Sequence, residues 1–203
     1  MTRVSIIDSG PMTIRVQAPD GTPMEKEGYR SLDEGDVILV DAEDRPVGSA
    51  GKLIAHQRNL RHRAISVLIF DRAGRMLLQR RSASKYHSGG LWTNACGSHP
   101  RLGESPAAAA GRRLGEEMGF VASLSFACRF EYEAPVGNGL WENEIVHVFT
   151  GIYDGEVVPN VGEAEDFCRR GLDAIRKDVA VRKTHYTPWF RLYAQAAWFE
   201  KSP

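Results

Sequence analysis

From Asp36 onward the chain alternates two hydrophobic rhythms: short apolar or period-two runs that mark strands, and stripes of helical period that mark helices. Val37-Ile38-Leu39-Val40, within Asp36–Asp41, predicts an apolar strand, and Ala64–Asp71 predicts a second. A turn at Arg72-Ala73-Gly74 leads into a return strand at Arg75–Arg81. Leu91–Cys96 reads as extended, and Phe126–Ala134 and Asn143–Tyr153 read as further strands. Gly51–Arg61 has helical composition. The clearest helix is Ser105–Met118: Ser105 suits the N-cap, Pro106 the first helical position, four alanines follow, and Gly119 terminates it. Glu163–Val181 and Thr187–Lys201 predict two C-terminal helices, each with an apolar stripe. Regular βαβ spacing is absent. The pattern therefore predicts an α/β sandwich of the α+β class around a mixed or mostly antiparallel sheet, not a doubly wound one.

Residues 1–35 read as a separate N-terminal extension, with the main domain at 36–203. Arg3–Ile7 and Thr13–Gln17 are alternating runs joined by a turn at Asp8–Pro11, and a polar linker follows. Such a hairpin could extend a sheet, cover a pocket mouth, or pair two subunits as a homodimer. A disordered tail is the other reading of the same residues.

Charge narrows the partners. Lys and Arg together number 26, equal to Asp and Glu, so no basic excess exists for non-specific nucleic-acid or membrane binding. Three cysteines, at 96, 128 and 168, form no CxxC pair; they fit a reducing cytoplasm better than a disulfide framework or zinc knuckle. The N-terminus has no secretory apolar region, and no run approaches the ~20 residues of a membrane span. The expectation is a cytoplasmic enzyme that recognises anions through local clusters.

Three segments supply those clusters. His56 and His62, then His99, then Glu142 and Glu144 offer a mixed nitrogen and oxygen shell for a divalent cation, if they converge. On the helix after Ser105, Arg112 and Glu116, and Arg113 and Glu117, are i,i+4 pairs, which alone describe a salt-bridged surface. With Ser98, Glu104 and Gly119 they also have the spacing of a Nudix box, the loop-helix-loop that holds a divalent ion beside a diphosphate. A Nudix hydrolase has Gly at Ser98 and Glu at Arg113, so the match favours the fold over pyrophosphohydrolysis. Arg81 and Lys85 close a strand ahead of Gly89-Gly90; with Lys52 and Arg113 they could clamp a diphosphate.

Taken in order, these motifs resemble type I isopentenyl-diphosphate isomerase, the Nudix-fold branch. The resemblance rests on Lys52, His56 and His62; on Gln79-Arg80-Arg81 and Lys85-Tyr86-His87; and on Leu91-Trp92-Thr93-Asn94. It continues through His99–Glu104, Trp141-Glu142-Asn143-Glu144 and Tyr186–Phe190, so it covers about four fifths of the chain. It implies a small-molecule prenyl diphosphate as substrate, protonated at one alkene carbon and deprotonated at another through a tertiary cation. It implies that His56, His62, His99, Glu142 and Glu144 hold Mn2+, Zn2+ or Mg2+, and that Glu117 helps Mg2+ hold the diphosphate. Lys52, Arg81, Lys85 and Arg113 match diphosphate-binding positions. Glu144 matches the acid/base carboxylate with Tyr132 near it, and Trp189 matches the aromatic that steadies the cation.

One position departs from the family. Its catalytic Cys lies two residues before the His matched by His99, where this chain has Gly97; Cys96 is one residue earlier. In an extended segment adjacent side chains point to opposite faces. Three readings follow. A local twist could bring Cys96 into the pocket of an ordinary isomerase. Without the thiol, the cation of a longer prenyl diphosphate could cyclise or rearrange. Or the protein binds a prenyl diphosphate without turning it over.

Overall fold

The computed structural model describes residues 4–5 and 35–196. Its elements run β1 (Val4–Ser5), β2 (Asp36–Val40), β3 (Pro46–Gly51), α1 (Lys52–Gln57), β4 (His62–Phe70) and β5 (Arg75–Arg81). They continue with β6 (Trp92–Asn94), β7 (Cys96–Ser98), α2 (Pro106–Met118), β8 (Leu124–Gly137) and β9 (Leu140–Ile152). β10 (Ala164–Gly171), α3 (Leu172–Val181) and α4 (Pro188–Gln195) complete the order.

The sheet is built around β4, which pairs in parallel with β9 and antiparallel with β2, β5 and β7. Alternation sends its residues to both faces. Ile65, Val67 and Ile69 meet Ala109, Ala110, Leu114 and Met118 of α2 in one apolar cluster. Ala64, Leu68 and Phe70 meet Ile175, Val179, Phe190 and Tyr193 of α3 and α4 in the other. The result is the expected α/β/α sandwich on a mixed sheet. α2 starts as its sequence dictates: the Ser105 hydroxyl accepts from the Ala108 amide at 3.2 Å, and Pro106 opens the first turn. It ends at Gly119, whose φ of 75° leaves no room for a side chain against the Val158 carbonyl.

The long hairpin β8–β9 reverses through Gly137, Asn138 and Gly139, all at positive φ. Its register sets Tyr132 opposite Glu144, while the β4–β9 register sets His62 opposite Glu144.

Several elements differ from the sequence expectations. Ala164–Gly171, read as the first half of a helix, is a strand pairing antiparallel with β5. The backbone groups along that side of β5 need a partner, and that demand outweighs the weak local preference of a charged segment. β10's exposed charges suit an outer strand. Pro46–Gly51 forms β3 on β2, an element its mixed polar composition did not announce. Leu91–Cys96 divides at Ala95 into β6 on β5 and β7 on β4. α1 is confined to Lys52–Gln57. The last helix is described to Gln195; 197–203 lie outside the described residues. The proposed N-terminal hairpin also lies outside them, apart from Val4 and Ser5, which pair with Tyr132 and Glu131.

Candidate active site

Glu142 and Glu144 alternate on β9, so both point to one face, and the β4 register brings His62 beside them. α1 delivers His56 from its last turn, and the chain leaving β7 delivers His99. Ligand atoms of His56, His62, His99 and Glu142 all lie within 4.8 Å of one another. Glu144 adjoins them, its Oε1 3.0 Å from His99 Nε2 and 3.5 Å from His62 Nε2.

The hydrogen bonds of the imidazoles show what this cluster is prepared to hold. His56 Nδ1 lies 2.6 Å from the Lys52 carbonyl, and His62 Nδ1 2.7 Å from the Leu60 carbonyl. A carbonyl only accepts, so each Nδ1 carries the hydrogen and each Nε2 presents its lone pair to the cluster. His62 Nε2 is buried with no hydrogen-bond partner. His56 Nε2 faces Glu142 Oε2 at 3.1 Å, lone pair towards lone pair unless a proton or a cation lies between. An orphaned nitrogen such as His62 Nε2, on a ring whose tautomer a carbonyl fixes, is what a metal-ligating histidine shows. The donor set suits a divalent ion.

The electrostatics agree. Burial alone would lower His56, but the Glu142 carboxylate leaves it raised. Burial and the neighbouring charge of Glu144 raise Glu142. Burial would also raise Glu144, yet the imidazoles of His62 and His99 hold it well below the usual carboxylate range. Burial takes His99 down to about 3. Tyr132 closes the set: its hydroxyl donates to Glu144 Oε2 at 2.7 Å.

Beside the cluster is a pocket lined by Gly97, Trp189, Tyr132 and Glu144, with a cationic wall of Lys52, Arg81, Lys85 and Arg113. The Arg81 guanidinium lies 5.4 Å from the Trp189 ring centre. Trp189 is fixed by donating to Thr93 Oγ1 at 2.9 Å. Two members of this region were not singled out from the sequence. Glu163 accepts from Lys85 at 2.5 Å and from Arg113 at 3.1 Å, pinning both cations; no local motif marks it. His87 is buried with Nε2 3.4 Å from Glu142 Oε1, and burial with the Arg81 and His56 charges takes it down to about 2. Its place in Lys85-Tyr86-His87 was the available signal.

Glu117 is outside the imidazole cluster. It is buried on α2, where it accepts from Arg113 at 2.8 Å, Gln79 at 3.0 Å and Cys96 Sγ at 3.3 Å. Arg113 reaches back from α2 to Glu117 and to the pocket wall, so a cation stands where a Nudix hydrolase has a carboxylate. Cys96 is fully buried among Ala95, Ala109 and Leu114, on the α2 side of the sheet, and does not line the pocket. Burial and the Glu117 charge push its thiol well above the usual range. The twist that would turn Cys96 into the pocket is absent, and Gly97 faces the pocket instead.

Comparison with known proteins places this geometry. Residues 60–190 match the NUDIX domain family. Isopentenyl-diphosphate Delta-isomerase 1 of Aromatoleum aromaticum is 52% identical over 156 residues, 77% of this chain and 88% of the relative. Isopentenyl-diphosphate Delta-isomerase 2 of Photorhabdus laumondii is 48% identical over 155 residues, 76% and 88% of the two chains. Among solved structures, DR0079 from Deinococcus radiodurans superposes with a TM-score of 0.66 at 16% identity, covering 79% of this chain and 97% of its own. A MutT protein from Methanosarcina mazei gives 0.55 at 21% identity, over 70% and 91%. The two structures share the fold, the two sequences share most of the domain, and the chain belongs to the Nudix superfamily in its type I isopentenyl-diphosphate isomerase family.

Proposed function

We propose that the protein isomerises isopentenyl diphosphate to dimethylallyl diphosphate by protonating the alkene from Glu144. The observation that carries this reading is the Tyr132–Glu144 pair at 2.7 Å, set in one pocket with Trp189 and four cationic side chains. Lys52, Arg81, Lys85 and Arg113 bind the diphosphate, Arg through planar forks and Lys as point charges. The alkene then lies against Glu144. Glu144, ionised in the free site, takes up a proton as substrate binds and passes it to the terminal carbon, and the Tyr132 hydroxyl steadies the carboxylate left behind. The Trp189 π face stabilises the cation at C3, and the substrate, once seated, displaces water that would capture it.

His56, His62, His99, Glu142 and Glu144 would hold Mn2+, Zn2+ or Mg2+, and Glu117 would share Mg2+ with the substrate diphosphate. The ion at the imidazoles would draw electron density from Glu144 and so stabilise its anion. Cys96 has no part in proton transfer on this reading, because its thiol lies behind the sheet.

The two named relatives, both isopentenyl-diphosphate Delta-isomerases, favour a five-carbon substrate over a longer chain. We assign residues 36–203 to the isomerase domain, residues 1–35 to an appendage, and the reaction to the cytoplasm, where three free thiols would persist.

The test is incubation of metal-loaded protein with five-, ten- and fifteen-carbon prenyl diphosphates in deuterated water, with products identified by mass spectrometry. Interconversion of the five-carbon pair with deuterium uptake, lost in Glu144→Gln, is expected. New hydrocarbon diphosphates from the longer substrates alone would overturn the reading in favour of a cyclase.

A further inference from the structure

We infer that Glu163 is an internal stand-in for the substrate's phosphate: its carboxylate holds the place between Lys85 and Arg113, gives way when a diphosphate enters, and thereby weakens anion binding and speeds release. This rests on the diphosphate reading of the cationic wall above and adds the residue that sets its affinity.

Arg113 is crowded with carboxylates. Its guanidinium reaches Glu116 at 2.7 Å, Glu117 at 2.8 Å and Glu163 at 3.1 Å. The three partners are not equally replaceable. Glu117 is buried and also accepts from Gln79 and Cys96, and Glu116 is shared with Arg112. Neither lines the pocket, whereas Glu163 does, and the same carboxylate accepts from Lys85 at 2.5 Å. A phosphoryl group that bonds to both Lys85 and Arg113 therefore claims the position of Glu163.

Only the side chain of Glu163 has to move. Its amide donates to the Asn160 carbonyl at 2.8 Å, and its carbonyl accepts from the Ser82 amide at 2.9 Å, so the backbone is fastened on both sides. Its carboxylate also borders an adjoining cavity of about 310 Å³. Arg101, 70% exposed, and Arg112 line that cavity. Rotation about the side-chain bonds takes the carboxylate from Lys85 and Arg113 towards these outer cations, into polar surroundings where its charge stays solvated.

The exchange opposes binding. Burial would raise the Glu163 carboxyl, but Lys85 and Arg113 hold it below the usual range, so it is ionised when the substrate arrives. Hydrogen bonds to an ionised acceptor are roughly twice as strong as neutral ones, and the diphosphate has to replace two of them. In the free site the carboxylate keeps both cations aligned and their charge compensated. As product leaves, it returns to them. Affinity differences of this kind fall mainly on the dissociation rate.

The experiment is a calorimetric titration of the metal-loaded protein with inorganic pyrophosphate at a fixed Mg2+ concentration, with the dissociation rate taken from stopped-flow displacement. Glu163→Gln keeps the shape and an acceptor oxygen but not the charge. It should bind pyrophosphate about tenfold more tightly and release it correspondingly more slowly. Glu163→Ser, which also removes the charge, should shift in the same direction, and Glu163→Asp, which keeps it, should lie nearer the parent than either. Equal or weaker binding in Glu163→Gln, or in Glu163→Ser should the Gln variant not fold, would overturn the inference, because a carboxylate that only braces the wall or helps to hold Mg2+ loosens the site when it is removed. A parent protein that does not bind pyrophosphate at all would overturn the diphosphate reading itself, and the inference with it.

Discussion

Removing the divalent ion should destabilise the protein by an amount the cluster itself sets. Without an ion, His62 Nε2 is buried and unpartnered, and His56 and Glu142 face each other across 3.1 Å. An unsatisfied buried polar atom costs about 1–3 kcal/mol, and an ion that binds only the folded chain relieves it. At one hundred times its dissociation constant, such an ion adds about 2.7 kcal/mol of stability. For a domain in the size class of this 203-residue chain, 1 kcal/mol moves the melting midpoint by roughly 2–4 °C, so chelation should lower it by about 5–11 °C. The assay is a thermal melt followed by circular dichroism, with chelator and then with Mn2+, Zn2+ or Mg2+ restored. Glu142→Gln separates the causes. It removes a ligand and also the repulsion between the Glu142 and Glu144 carboxylates, so the chelated variant should melt no lower than the chelated parent. It should also lose most of the ion-dependent gain. Equal midpoints with and without ion in the parent, or an undiminished gain in Glu142→Gln, would refute the assignment. His56 gives a second reading of the same event. Its proton, held by Glu142, must leave when an ion binds, so affinity should fall as pH drops through its raised pKa.

Other outcomes follow from single contacts. Tyr132→Phe removes the donor to Glu144 Oε2 and should lower kcat by about 10²-fold with little change in KM, measured by product formation from isopentenyl diphosphate. Gly119→Ala should cost at least ~1–2 kcal/mol in urea denaturation, because φ of 75° disfavours an L-residue and the new methyl meets the Val158 carbonyl. Glu104 is held down to about 2 by Arg112, so its pairing stabilises the fold above the ordinary glutamate range and is lost as pH falls through about 2. Glu104→Gln should flatten the acid limb of the stability profile, and an unchanged limb would show that the pair contributes nothing.

The sequence exposed elements wherever one local rule dominated. Ser105, Pro106 and Gly119 fixed both ends of α2 because capping is a matter of a few neighbouring residues. Continuous apolar runs marked β2 and β4 because both are buried along nearly all their length. Ala164–Gly171 misled because its strand conformation comes from pairing with β5, far away in the chain. The same limit applied to the site. The imidazoles and carboxylates could be selected by type, but their meeting depends on the β4–β9 register. Glu163 was invisible because its role comes only from the side chains that reach it, Lys85 and Arg113. The opposite directions of Cys96 and Gly97 could be anticipated from strand alternation, but the apolar enclosure of the thiol needed α2 in place.

His62 and Glu144 face each other as paired residues of adjacent strands, so the centre inherits its tolerance to change from β-sheet arithmetic. Inserting or deleting one residue within either strand would invert every downstream side chain and scatter the ligands, whereas two would preserve their facing but shift their partners. Length variation in related chains should therefore accumulate in the connections, and indels inside these two strands should be purged even where the new residue is itself well tolerated.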